Sequence, residues 1–313
     1  MTCIIIAECC QNHNGSREIL RLMIHSAAES GADYAKVQAL RSTELTRREQ
    51  FEDGITDKDG TVLAIKRPFD AERDRLAKLD LSDDDEQWFV DECKRAGIKS
   101  MITAFTRFSS QRFVDAGFDA IKIASYDCQS VALLKEVADN FATVFISTGA
   151  TFDDEILRAS QVFTEGQATF LHCVTIYPTP LDQLHLNRML WLKQFSKQVG
   201  FSDHTAPAIS NLRASQLAIA LEADVIERHF TILEPNETRD GPVSATPKDI
   251  RQLRDFSLLS VNERKEKLDS EWPEWQIGLG QEIRTLSATE LLNRDYYAGR
   301  VAAWVNGKQI SNI

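Results

Sequence analysis

At 313 residues with 43% apolar side chains, the chain can build one large α/β barrel or two medium domains around a sizeable core. Its 36 basic against 47 acidic residues leave a net charge of −11 without a dense basic run, which excludes nucleic acid and anionic membrane surfaces as expected partners. An acidic substrate would therefore need a local positive pocket. The first residues, Met1 to Glu8, hold no charged leader, and no apolar run approaches a membrane span, so a soluble cytoplasmic protein is expected.

In chain order, eight β-rich runs alternate with helical stretches: Ile4 to Glu8, Tyr34 to Gln38, Lys99 to Ala104, Ala120 to Ala124, Thr143 to Ser147, Thr169 to Val174, Gln198 to Ser202 and Asp224 to Phe230. The first helix, Ser16 to Ser30, carries Ile19, Leu20, Met23 and Ala27 at helical spacing and stops at Gly31. Ser82 and Asp153 read as caps of later helices. Strands alternating with single helices, with no glycine-rich dinucleotide fingerprint after the first, predict a closed (β/α)8 TIM barrel over residues 1–260 rather than an open sheet. Leu40 to Asp80 is too long for a simple loop and is either a lid or substrate wall, or a solvated insertion. Residues 261–313, with Trp272, Trp275, Tyr296, Tyr297 and Trp304, form a C-terminal extension expected to pack on the barrel or on a partner subunit. The six cysteines show no C-x-x-C spacing and read as reduced core thiols, Cys9 and Cys10 included.

In a closed barrel the chemistry sits at the carboxyl ends of the strands. Those ends carry Glu8, Lys36, Gln38, Thr103, Lys122, Ser125, Ser147, Thr175, Tyr177, Ser202, His204, Glu227 and His229. Lys36 and Lys122 lie in apolar strand patterns, where an unpaired ammonium is costly, so each needs a partner or a ligand. With the neighbouring hydroxyls they suit a phosphate monoester. The hydroxyls have a plainer use: Thr103, Ser125 and Ser147 could cap the following helices, and Asn12 and Asn14 could shape the turn before Gly15. His204 and His229, beside Asp203 and Glu227, are the candidate metal ligands, whereas His172 fits a satisfied core histidine and His13, His25 and His185 take no metal role.

The ordered motifs Ala7-Glu8-x-x-x-Asn12-His13-Asn14-Gly15, Lys36-Val37-Gln38, Lys122-Ile123-Ala124-Ser125, Ile146-Ser147-Thr148-Gly149, Tyr177-Pro178-Thr179-Pro180, Ser202-Asp203-His204-Thr205 and Ile226-Glu227-Arg228-His229-Phe230 resemble the sialic acid synthase (N-acetylneuraminate synthase) family. The resemblance implies a (β/α)8 enzyme that condenses phosphoenolpyruvate with an N-acyl amino sugar or related aldose, releasing phosphate and forming a sialic-acid-like 3-deoxy ulosonic acid. It implies a divalent metal, Mn²⁺ foremost with Mg²⁺ or Co²⁺ as alternatives, on His204 and His229. It implies phosphoenolpyruvate on Lys36, Thr103, Lys122, Ser125, Ser147, Thr175 and Ser202, and Glu8, Gln38, Tyr177 and Glu227 around the reacting centre, with Glu8 steadying the cation that develops at C2. A homodimer is expected.

Departures accompany the matches. The family usually carries a carboxyl-terminal antifreeze-like domain that reaches across a dimer to the N-acyl group, and this sequence stops where that domain would begin. Cys10 replaces a typical glycine, Thr175 stands where Asn or Ser is frequent, and Asp240-Gly241-Pro242 is followed by Val243-Ser244-Ala245-Thr246, where Asp-His or similar residues are usual. Two alternatives stay open: a metal-dependent aldolase or synthase with another aldehyde acceptor, and a non-catalytic paralogue needing a partner for the missing domain.

Overall fold

The computed structural model describes residues 2–312. Eight parallel strands close into a barrel: β1 (Ile4–Glu8), β2 (Tyr34–Gln38), β3 (Lys99–Ala104), β4 (Ala120–Ile123), β5 (Val144–Ser147), β6 (Ala168–Cys173), β7 (Val199–Asp203) and β8 (Val225–His229). Each pairs with its neighbours in chain order, and β8 pairs with β1 to seal the ring. Every predicted run is a strand, with bounds within one residue of those read from the sequence.

The strand period of two sorts the side chains. Outward positions such as Ile5, Val37, Ile102, Ile121, Ile146, Phe170, Phe201 and Ile226 pack under the helices in the main core. Inward positions form layers. Toward the amino-terminal end, Ile6, Tyr34, Met101, Ala120, Phe145, Leu171 and Val225 make a buried apolar plug. In β7 the matching position is Gly200, where a Cβ would lie 2.4 Å from the Val225 carbonyl oxygen and 2.7 Å from Leu171 Cδ2. The plug has no room for an eighth side chain. Two residues further along the eight strands stand Glu8, Lys36, Thr103, Lys122, Ser147, Cys173, Ser202 and Glu227, all buried and all facing one cavity.

Local chemistry fixes the surrounding helices. The first spans Arg17–Glu29, and the Ser16 hydroxyl accepts from the Ile19 amide at its start. Ser82 caps Asp83–Ala96 through a reciprocal pair with Asp85. Asp153 is not a cap: helix Asp153–Ser160 begins with Phe152 at the N-cap, where Glu155 accepts from the Phe152 amide at 2.8 Å, and Asp153 joins the acidic first turn.

The long insertion contains a small hairpin, Ile55–Thr56 with Val62–Ala64, and helix Phe69–Leu76. Beyond helix Pro247–Leu258, the tail adds helices Val261–Glu271 and Ala288–Tyr297 and a hairpin, Ala302–Val305 with Lys308–Ser311. Tail and insertion pack together over the barrel mouth: Tyr296 meets Phe51 edge-on at 5.1 Å, and Val301 bridges Leu45. Arg294 ties the tail to the barrel through the Ala150 carbonyl at 2.7 Å and Glu155 at 2.6 Å. All six cysteines are free and buried. Among the described residues no helix is long and apolar enough to cross a membrane.

Candidate active site

A cavity of about 610 Å³ opens at the carboxyl ends of the strands, and the polar inward layer is its floor. Lys36 on β2 pairs with Glu8 on β1, donates to Thr103 Oγ1 at 3.0 Å and lies 3.8 Å from Glu227. Lys122 on β4 donates to Ser147 Oγ at 2.6 Å and reaches Glu227 Oε1 at 3.4 Å, where Ser202 Oγ also donates at 3.0 Å. Glu227 thus sits between both ammonium groups. Burial alone would raise its carboxyl, but Lys122 and Lys36 hold it down at about 2. Burial draws the Lys36 ammonium down to about 7, against the pull of Glu227. The second oxygen of Glu227, Oε2, is buried without a hydrogen-bond partner. Thr103 and Ser147 therefore serve the lysines rather than cap helices. Ser125 opens the short turn Ser125–Asp127, and its Oγ accepts from the Gly149 amide at 3.2 Å.

Above the floor lie two imidazoles. The ring centroids of His204 and His229 are 5.3 Å apart, and Tyr177, 48% exposed, leans over His204 with its hydroxyl 3.2 Å from Nε2. His204 Nδ1 lies 3.1 Å from the Val174 carbonyl, so that nitrogen is the donor and Nε2 keeps its lone pair. Burial first, then the neighbouring His229, lower the His204 pKa to about 3, and burial also lowers that of His229. Both rings are neutral imidazoles, the form that ligates metals. Beneath them, Arg228 points outward into the helix layer, fully buried, and meets Asp203 Oδ2 at 2.7 Å and the Thr205 carbonyl at 3.1 Å. Asp203 Oδ1 also accepts from the Thr205 amide at 2.8 Å. This pair locks the ends of β7 and β8, and with them both histidines.

Cys10 follows β1 with φ of +38°, and its amide donates to Glu8 Oε1 at 2.6 Å. One ligand atom each from Cys10, His229 and Asp240 lies within 4.8 Å of the others. The asparagines beside it tie this turn to the loop after β8. Asn12 Nδ2 donates to the Phe230 carbonyl at 2.8 Å and to Ser244, Asn14 Nδ2 donates to the Glu237 carbonyl, and Gly15 has φ of +75° with the Lys78 carbonyl in its Cβ space.

The outer wall is basic. Arg67 and Arg75 from the insertion, Arg239 from the loop after β8 and Arg300 from the tail all line the cavity. Glu72 clasps Arg75 at 2.8 Å and approaches Arg300 at 3.5 Å and Arg239 at 3.6 Å. Six cationic side chains against three carboxylates line the cavity of a chain whose net charge is −11, so the positive pocket an anionic substrate requires is present.

Of the residues singled out by sequence, Glu8, Lys36, Gln38, Thr103, Lys122, Ser125, Ser147, Tyr177, Ser202, His204, Glu227 and His229 share this cavity, and Thr175 does not line it. Thr175 offers its carbonyl to Asn293 of the tail at 2.7 Å, and its hydroxyl has no partner. His172 is a core residue, its Nε2 2.7 Å from the Leu184 carbonyl. Sequence reasoning missed Cys173, Asp240, the four arginines and the tail residues Asn293 and Tyr297 as cavity lining. Parity along β6 places Cys173 inward. The tail residues carried no such signal.

Floor and rim together define a barrel enzyme for an anionic small molecule. The sequence model of the NeuB family matches residues 23–262, and the chain belongs to that family. It is 30% identical over 260 residues to the N,N'-diacetyllegionaminic acid synthase of Campylobacter jejuni, a match spanning 80% of this chain and 74% of that protein. It is 28% identical over 285 residues to the synthase of the same name from Legionella pneumophila, across 87% and 77% of the two chains. Among solved structures, the N-acetylneuraminic acid synthetase of Leptospira borgpetersenii superposes with a TM-score of 0.69 over 95% of this chain and 91% of that one, at 24% identity, and shares the fold.

Proposed function

We propose that the protein condenses phosphoenolpyruvate with an N-acyl amino sugar or related aldose, releasing phosphate and giving a sialic-acid-like 3-deoxy ulosonic acid. Residues 1–260 act as the catalytic barrel, and 261–313 as an extension supplying part of the cavity wall. The observation that carries this reading is the floor: two buried lysines at 2% and 3% exposure, each with a hydroxyl neighbour and both facing Glu227. Glu8 and Glu227 offset the two ammonium charges, and the remaining N–H donors of the lysines, with the hydroxyls of Ser125, Ser147 and Ser202 and the four arginines of the wall, suit the phosphate and carboxylate of one small dianionic molecule.

In this reading Lys36, Lys122, Ser125, Ser147 and Ser202 bind the phosphate and carboxylate of phosphoenolpyruvate, with Thr103 steadying Lys36. The new bond joins C3 of phosphoenolpyruvate to the aldehyde carbon of the sugar. Water adds at C2, and the C–O bond to phosphate breaks as the ketone forms. Positive charge develops at C2, and carboxylate oxygens facing it lower the barrier. Glu8 is the residue expected from sequence for that role, but both of its oxygens are engaged, by Lys36 and by the Cys10 amide. Glu227 Oε2 accepts no hydrogen bond and meets Lys36 only at 3.8 Å, so the two carboxylates share the task, Glu227 facing the charge and Glu8 holding Lys36. Gln38 and Tyr177 orient the sugar. His229 Nδ1, buried without a hydrogen-bond partner, and the Nε2 lone pair of His204, which accepts only from the movable Tyr177 hydroxyl, suit a divalent cation, Mn²⁺ first by the family resemblance. A cation held there supplies Lewis-acid polarisation of the aldehyde. By the same resemblance the enzyme is a cytoplasmic homodimer.

The test is phosphate release from phosphoenolpyruvate with Mn²⁺ across a panel of aldoses. Lys122→Met should raise KM for phosphoenolpyruvate far more than for the sugar and lower kcat/KM by on the order of 10²–10³. Equal losses for both substrates would remove Lys122 from the phosphate site.

A further inference from the structure

Cys10 lies between the cavity-lining residues Glu8 and Gln11 without lining the cavity itself, and the chemistry above leaves it without work beyond its backbone amide. It stands two positions past Glu8, with φ of +38°, a left-handed conformation uncommon for a residue with a side chain. Glycine would adopt it without strain. The side chain is 1% exposed and shares a cluster with His229 and Asp240, one ligand atom from each lying within 4.8 Å of the others. His229, 8% exposed, directs Nδ1 into this cluster, 3.7 Å from Asp240 Oδ2, where it has no hydrogen-bond partner. A thiol on a left-handed backbone, hydrogen-bonded to the half-buried Asp240 carboxylate, and an imidazole nitrogen without a hydrogen-bond partner converge here, and it is the unsatisfied nitrogen that a packed core would not leave in place.

We propose that Cys10 and Asp240 join His229 as ligands of the divalent cation, giving it a mixed sulfur, nitrogen and oxygen site. The presence of any cation rests on the synthase reading; the sulfur ligand is a separate claim. The thiol gives its proton to solvent as the metal–sulfur bond forms. A thiolate is a soft ligand, so it moves the ion ranking away from hard Mg²⁺ and Mn²⁺ toward Co²⁺, which stands higher in the divalent series and accepts sulfur. A rival sulfur exists: Cys173 Sγ lies 3.6 Å from His204 Nδ1. That nitrogen is already committed to the Val174 carbonyl at 3.1 Å, so Cys173 faces the wrong edge of the ring.

The experiment uses the full chain, stripped with chelator and titrated with Co²⁺ alone. A near-ultraviolet sulfur-to-cobalt charge-transfer band should accompany the visible bands. In Cys10→Gly, which removes the sulfur and relieves the backbone, the charge-transfer band should vanish and Co²⁺ affinity should fall by at least about tenfold. Cys10→Ser should lose the band as well, and Cys173→Ala should keep it. A wild-type spectrum without the band, a band surviving in Cys10→Gly, or one lost in Cys173→Ala overturns the assignment. Phosphoenolpyruvate-dependent phosphate release is measured on the same wild-type sample. Release without the band removes the sulfur ligand and leaves the synthase intact, and the band without release keeps the ligand and removes the synthase.

Discussion

The two inward layers of the barrel come from the same eight strands, two residues apart, and are held together by opposite means. The plug of Ile6, Tyr34, Met101, Ala120, Phe145, Leu171 and Val225 is held by volume, and Gly200 is part of the fit because its missing side chain makes room for Leu171. The floor above it is held by charge: Glu8 to Lys36, and Lys36 and Lys122 to Glu227. A layer held by volume tolerates exchange among apolar residues of similar size. One held by buried charge fails as a unit when a member is removed, because its partner is left uncompensated.

The largest effect should therefore come from the floor. Glu227→Ala leaves Lys36 and Lys122 without their common counter-charge, and chemical denaturation should show a loss of about 3–5 kcal/mol together with loss of turnover. A variant as stable as the parent would break the contrast. In the plug, Leu171→Ala opens a cavity costing about 2–5 kcal/mol, with KM for both substrates unmoved. A changed KM would mean that the plug does more than support the floor. Gly200→Ala tests crowding in the same layer, since its Cβ meets backbone that cannot step aside. The expected loss is about 1–3 kcal/mol by thermal or chemical unfolding.

The effect that vanishes at neutral pH is a slope in pH. His172 faces away from both layers, stacked on Phe201 at 5.8 Å, and burial lowers its pKa from 6.5 to about 3. The unfolded chain takes up this proton before the folded one does, so the contribution is whole above pH 6.5 and is lost as pH falls toward 3. Within that window His172→Gln should flatten the stability profile by about 1.4 kcal/mol per pH unit. An unchanged slope would mean the ring titrates equally in both states.

The alternation that separates plug from floor is also what made them legible. Lys36 in Ala-Lys-Val-Gln and Lys122 in Ile-Lys-Ile-Ala are polar residues at the inward beat of apolar strands, and sequence alone marks them as costly to bury. The strand bounds followed from the same beat. Arg228, between Glu227 and His229, sits on the outward beat and so needed a buried partner. The sequence implies the need, but only the fold shows that Asp203 meets it. Asp240 and the arginines could not be read this way, because loops have no period, and the union of Arg67, Arg75, Arg239 and Arg300 at one mouth depends on how the insertion and tail cross it. Sequence alone assigns Cys10 to packing, since a thiol in an apolar run ordinarily packs. Its positive φ and its neighbours across the chain were invisible until the turn was in place.

The two-residue offset between the layers also limits how the barrel can diverge. Deleting or adding a single position within a strand would turn its lysine or glutamate toward the helices and present an isoleucine or valine to the substrate. Its descendants can therefore acquire a new reaction by exchanging side chains at fixed positions, while gains and losses of length are confined to the loops around the rim.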